Sequence, residues 1–212
     1  MFATRDEAGC LLGGSLKDHH ALADLVLGLP RGGVLVAAEV ANTLDLPLDV
    51  LVVRKIGHPA QREFAVGALA EPDVVVLDPA IVGVDPAIHR SLMHIVREEK
   101  ERLRHCRAIF HLGPPAELRD KSVILVDDGL ATGATTEAAI VSARKQGAGR
   151  VIAATPVASG DAVRRLSKVA DEVVALHVDE DFDAVGRYYR VFHQASDEEV
   201  LAALRAARRR GD

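Results

Sequence analysis

Val123-Ile124-Leu125-Val126-Asp127-Asp128-Gly129-Leu130-Ala131-Thr132-Gly133-Ala134-Thr135-Thr136 decides how this chain of 212 residues is read. Four aliphatic residues run into two adjacent carboxylates, a loop of small and hydroxyl residues follows, and then a helix. A parallel strand delivers chemistry at its carboxyl end in this order. The helix N-terminus offers unpaired N–H groups and the positive end of a dipole, which favour an anion. Gly129, Ala131, Gly133 and Ala134 let the backbone approach that anion, and Thr132, Thr135 and Thr136 add hydroxyl donors. Asp127 and Asp128 would repel a phosphate, so they face hydroxyls or a ligand-borne metal. The implied ligand is a phosphorylated sugar with a diol.

The rest of the chain repeats the strand-helix alternation. Asp24 to Pro30 reads as a strand, Val34 to Leu44 as a helix, and Asp49 to Val53 as a second buried strand. Arg54 to Val66, with Gly57, Pro59, Gln61 and Arg62, reads as a long loop, a class of segment that is usually functional or mobile. Short β-like runs follow at Gly67 to Ala70 and Val74 to Leu77. Pro86 to Phe110 carries a helical stripe of Ile88, Leu92, Ile95, Val96, Leu103 and Ile109. On its other face Glu98 with Arg102, and Arg97 with Glu101, stand at i,i+4. Val151 to Val157, Asp161 to Lys168 and Glu172 to Val178 read as strand, helix and strand. Ser196-Asp197-Glu198-Glu199 fits a capping box for a last helix. The expected fold is α/β, a Rossmann-like parallel sheet flanked by helices with a small hood. In such a sheet ligands bind beyond the carboxyl ends of the strands. Pro30-Arg31-Gly32-Gly33, Arg54-Lys55 and Asp127-Asp128 all fall at such ends.

Composition narrows the classes. A formal charge of −5 argues against a general nucleic-acid binder. Charged residues interrupt every apolar run before it reaches membrane-span length. Met1 to Gly14 lacks the pattern of a signal peptide, and Cys10 and Cys106 have neither disulfide-framework density nor metal spacing. A cytoplasmic protein with no membrane or nucleic-acid partner is expected.

The strand, the paired acids and the Thr/Gly loop resemble the phosphoribosyl-pyrophosphate (PRPP) motif of the type I phosphoribosyltransferases. A dinucleotide fingerprint or a P-loop would need glycine patterns that are missing. The resemblance spans roughly Asp24 to Val178. Arg54-Lys55-Ile56-Gly57 and the tail through Val200 narrow it to a subgroup of predicted phosphoribosyltransferases whose acceptor is unsettled. It implies one phosphoribosyltransferase domain over 1–212, with a helical excursion at about 86–112 and a C-terminal hood and helix at about 179–212.

The resemblance also assigns roles. Asp127 and Asp128 hold the ribose hydroxyls, and reach Mg²⁺ indirectly through PRPP or water. Gly129 and Ala131, Thr132, Gly133, Ala134 and Thr135 cradle the 5′-phosphate. Pro30, Arg31, Gly32 and Gly33 form the pyrophosphate loop, with a cis Pro30–Arg31 peptide. Arg54 and Lys55 stabilise the leaving group, and Phe182 or Tyr188 stacks on the base. Ala131 stands where purine-salvage members carry an Asp, which argues against hypoxanthine or guanine as acceptor. The implied activity belongs to nucleotide metabolism: Mg²⁺-dependent transfer of a 5-phosphoribosyl group to a nitrogenous acceptor, in a protein that is by resemblance a homodimer. The rival reading is a non-catalytic PRPP- or nucleotide-binding regulator.

Overall fold

The computed structural model describes residues 1–18, 23–78 and 86–211. Helix α1 (Arg5–Ser15) precedes strand β1 (Leu25–Gly28), helix α2 (Gly32–Leu44) and strand β2 (Leu48–Val50). An antiparallel excursion follows, of β3 (Val53–His58), β4 (Gln61–Ala70) and β5 (Val74–Leu77), leading to the long helix α3 (Pro86–Phe110). The chain then returns through β6 (Ser122–Val126), α4 (Ala134–Lys145), β7 (Arg150–Ser159), α5 (Gly160–Leu166) and β8 (Glu172–Asp179). A 3-10 turn (Val185–Tyr188) and helix α6 (Asp197–Gly211) complete it.

The main sheet is parallel, five strands in the order β2-β1-β6-β7-β8. Alternate residues of its central strands feed opposite faces. Leu25, Leu27, Val123, Leu125, Val151 and Ala153 pack against Ala139, Ile140 and Ala143 of α4 and Leu166 of α5. Val26, Ile124, Val126, Ile152 and Ala154 pack against Leu12 and Leu16 on the α1 side and Val36, Val40 and Leu44 of α2. Burial on both faces is what the near-continuous apolar runs of these strands require.

The second sheet corrects the sequence reading. Arg54 to Val66 is no loop: β3 and β4 pair directly, and only Pro59-Ala60 separates them. The register shifts at Ile56/Gly57 and Gly57/His58, so the apolar-polar alternation that marks a strand is broken there. Gly57 looked like a loop residue for the same reason. A Cβ on it would lie 2.1 Å from the Arg62 carbonyl oxygen across the pair. Helix α1, missed in the sequence, starts with Thr4 accepting from the Glu7 N–H.

Helix α3 lies where its stripe placed it, with Leu92, Ile95, Val96 and Leu103 packed against Ile56, Val66 and Leu69 of the hairpin. Its acids do not make the expected i,i+4 pairs. Glu98 meets Arg62, and buried Glu99 meets Arg54 and Arg102. The capping box of α6 forms in full: the Ser196 N–H donates to Glu199 and the Glu199 N–H donates to the Ser196 hydroxyl.

Candidate active site

Strand order reverses between β1, whose other neighbour is β2, and β6, whose other neighbour is β7. Loops leaving two such strands diverge and open a crevice. The loop after β1 is Pro30-Arg31-Gly32-Gly33 and the loop after β6 begins with Asp127-Asp128. They touch: a Cβ on Gly32 would lie 1.9 Å from Asp128 Oδ2, so only glycine fits. The Pro30–Arg31 peptide is cis, as the resemblance implied.

The two carboxylates are held differently. Asp127 Oδ1 accepts the Asp128 N–H at 2.9 Å. Asp128 Oδ2 accepts Arg5 Nε–H at 2.9 Å, and the Asp128 carbonyl accepts the Tyr189 hydroxyl at 2.6 Å. Burial first, and the neighbouring Asp128 charge second, push Asp127 well above the ordinary aspartate value. Asp128 is also raised by burial, with Arg5 opposing. Burial and the Asp128 charge push the Tyr189 phenol up as well. Arg5 and Tyr189 escaped the sequence reading. A cation at the first position of a helix, against the dipole, was the one faint signal for Arg5; none marked Tyr189.

Beyond the carboxylates, Gly133 caps α4 with φ 71°, in the left-handed region that suits glycine. A cavity of 310 Å³ opens over that helix end, lined among others by Asp127, Ala131, Thr132, Gly133, Thr135 and, from β3, Lys55. The loop is tied down from β7: Ser159 Oγ donates to the Ala131 carbonyl. Lys55 and Thr135 also line a second cavity of 720 Å³, which reaches Pro30, Arg54, Arg62 and Glu99. Lys55 is thus delivered by a strand rather than a loop. Arg54 is engaged, its Nε 3.0 Å from the buried Glu99 carboxylate.

The C-terminal segment covers one side. Phe182 and Tyr188 stack on each other, centroids 5.2 Å apart, and the Tyr188 hydroxyl donates to Asp179. Val185, between them in sequence, is the side chain against Gly129. Arg31 turns to this segment: it donates to the Ala195 carbonyl and lies 3.8 Å from Asp197. Among the described residues no group of three or more His, Cys, Asp or Glu side chains could hold a metal ion. No helix among them is long and apolar enough to cross a membrane.

A phosphoribosyl transferase domain model matches residues 14–190. Two strains of Mycobacterium tuberculosis carry a protein named "Putative phosphoribosyl transferase", 43% identical over 99% of this chain. The chain spans about half the length of these curated relatives, 47%. Among solved structures, TT1426 from Thermus thermophilus is 44% identical with a TM-score of 0.80, covering 96% of this chain and 97% of its own. A purine phosphoribosyltransferase from Pyrococcus horikoshii shares the fold at 19% identity and a TM-score of 0.52, over 91% of this chain and 94% of its own.

Proposed function

The chain belongs to the phosphoribosyltransferase family, and from that premise we propose that it moves a 5-phosphoribosyl group from PRPP to a nitrogenous, nucleobase-like acceptor and releases pyrophosphate. One observation carries the reading: the glycine loop after β1 meets the acid pair after β6 with no space between Gly32 and Asp128. A ligand seated on the acids therefore also lies against the glycine loop. The diol goes to Asp127 and Asp128, and the 5′-phosphate to the α4 N-terminus and the hydroxyls of Thr132 and Thr135. The pyrophosphate goes to Pro30, Arg31, Gly32 and Gly33, mainly through backbone groups, since the Arg31 guanidinium is turned toward Ala195.

The acid pair fits Mg²⁺ brought in with PRPP. Asp127 is held toward its neutral form by burial and by an adjacent acid, a donor set that a divalent cation would relieve. Two carboxylates alone are too few for a protein cage, and Mg²⁺ characteristically takes its other ligands from phosphates and water. Bound there it supplies charge neutralisation for the diol and pyrophosphate oxygens. Asp127 and Asp128 orient the ribose and place negative charge near the cationic anomeric centre. Lys55 faces the phosphate cavity and stabilises charge on the leaving group. A regulator would bind the same ligand without needing that lysine, so the enzyme reading is preferred.

Calorimetric titration with PRPP, with and without Mg²⁺, against ribose 5-phosphate tests this. Mg²⁺-dependent binding, tighter for PRPP, is expected, followed by pyrophosphate release with a suitable base. No PRPP binding, or equal binding of ribose 5-phosphate, would remove the transferase reading.

A further inference from the structure

Arg5 belongs to none of the loops that assemble the crevice, yet its guanidinium reaches the Asp128 carboxylate. We propose that Arg5 is a positioning residue of this site: it grips the Asp128 carboxylate from the protein side and leaves the other oxygen to meet the ribose diol. The inference rests on the diol role given above to Asp128.

The guanidinium is held on several sides. Nε–H donates to Asp128 Oδ2 at 2.9 Å, and Nη1 donates to the His193 carbonyl at 2.9 Å. The guanidinium carbon lies 4.1 Å from the centroid of the Phe192 ring. Arg5 is 6% exposed. Taking a guanidinium out of water is unfavourable unless partners compensate, and among these partners Asp128 is the one that supplies an opposite charge. A charge-assisted bond of this kind is stronger and more directional than a neutral one.

Its place on α1 argues the same way. Arg5 is the first residue of the helix, where the dipole disfavours a cation. The helix takes its own needs from Thr4 as cap and from the acids Asp6 and Glu7 in its first turn. The contact bridges 123 positions of sequence, so local helix formation cannot explain it.

Packing transmits the grip. A Cβ on Gly32 would come within 1.9 Å of Asp128 Oδ2 and 3.0 Å of Arg5 Nε. Arg5, Asp128 and the glycine loop therefore crowd one point, and turning the acid away from it would break the Arg5 bond. Lysine cannot reproduce the arrangement, because its single ammonium cannot present two separate donors in a planar fork.

Wild type, Arg5→Gln and Arg5→Lys are titrated with ribose 5-phosphate and with inorganic phosphate, after thermal melts show that the variants fold. The expected result is a tenfold to hundredfold loss for ribose 5-phosphate in Arg5→Gln, on the order of one charge-assisted bond. Inorganic phosphate affinity should change by less than about twofold, because the 5′-phosphate seat at the α4 N-terminus is built from Thr132, Gly133 and Thr135 and not from Asp128. Arg5→Lys should recover part of the loss. Equal weakening of both ligands, or none, would reduce Arg5 to a structural residue. If wild type binds no sugar phosphate, the transferase reading fails separately. Arg5 is then judged by the χ1 scalar couplings of Asp128 in the free protein. One rotamer in wild type and averaging in Arg5→Gln is expected; one rotamer in both would overturn the positioning role.

Discussion

Ser159 and Ala131 are joined across β7 and the phosphate loop, the Ser159 hydroxyl donating to the Ala131 carbonyl at 2.6 Å. The same oxygen accepts the Ala162 N–H at 3.0 Å and so caps α5. One hydroxyl thus closes a helix and pins the loop that is to hold the 5′-phosphate. Ser159→Ala removes both bonds. The cap alone is worth about 1 kcal/mol, and a thermal melt should show that loss. Phosphate affinity, measured by calorimetry, should fall with it; a loss of stability with unchanged affinity would separate the cap from the loop.

Asp127 is the residue where function opposes stability. Burial and the Asp128 charge raise its folded-state pKa, so the folded protein holds a proton that the unfolded chain releases near about 3.9. The unfolded state then binds fewer protons, and stability falls as pH rises above the ordinary aspartate range toward the raised value. Asp127→Asn removes this slope. Melts of the ligand-free proteins should show the variant more stable at pH 8, by roughly 2–4 °C for each kcal/mol relieved, with the gap closing near pH 4. The same variant should lose Mg²⁺-dependent PRPP binding.

Gly32→Ala should damage two loops at once. The new methyl would sit where Asp128 Oδ2 lies, and forcing an atom into a filled space costs typically about 1–3 kcal/mol. The variant should melt lower and bind ribose 5-phosphate more weakly, because the displaced atom belongs to the diol acid. Unchanged binding would show that Asp128 does not meet the sugar.

Arg54 and Lys55, neighbours in sequence, should separate in their effects. Arg54→Ala takes from Glu99, 5% exposed, one of the two arginines that balance it and leaves Arg102. Stripping a buried charge of a partner is destabilising, so this variant should lower the melting temperature. Lys55 is exposed at its strand position, and such substitutions usually stay within about 0.5 kcal/mol. Lys55→Ala should therefore lower the melting temperature less than Arg54→Ala and lower PRPP affinity more. Parallel melts and titrations of the two variants decide it; a stable Arg54→Ala would remove the structural role.

The parallel core was legible because both faces of β1, β6 and β7 are buried, which leaves near-continuous aliphatic runs ending in punctuated loops. Asp127, Asp128 and the Pro30 to Gly33 loop could be placed because a parallel strand fixes where its carboxyl end goes. The hairpin was not, since its bulge at Gly57 interrupts the period on which strand reading depends. Arg5, Tyr189 and Glu99 were invisible for another reason. Arg5 and Tyr189 act through partners far away in the chain, as Glu99 does through Arg54 though not through Arg102, and neither spacing nor composition encodes a contact such as that of Arg5 with Asp128. Phe182 and Tyr188, the expected base-stacking residues, stack on each other, and Val185 between them meets Gly129.

At the root of the hairpin, Glu71 accepts the Val52 N–H with one carboxylate oxygen, while the other lies within 3 Å of both Arg107 and His111. Mechanically this is a clamped beam. The fixed end lies beside the main sheet and the far end is the Pro59-Ala60 turn, steadied near its tip by the Arg62–Glu98 pair. At a strand rise of about 3.3 Å per residue, Lys55 sits roughly 10 Å out from the clamp and the tip roughly 23 Å. A flexure of about 10° would sweep the tip through roughly 4 Å but carry Lys55 less than about 2 Å. The lysine is mounted nearer the clamp than the tip, so a given flexure moves it less than half as far as the turn.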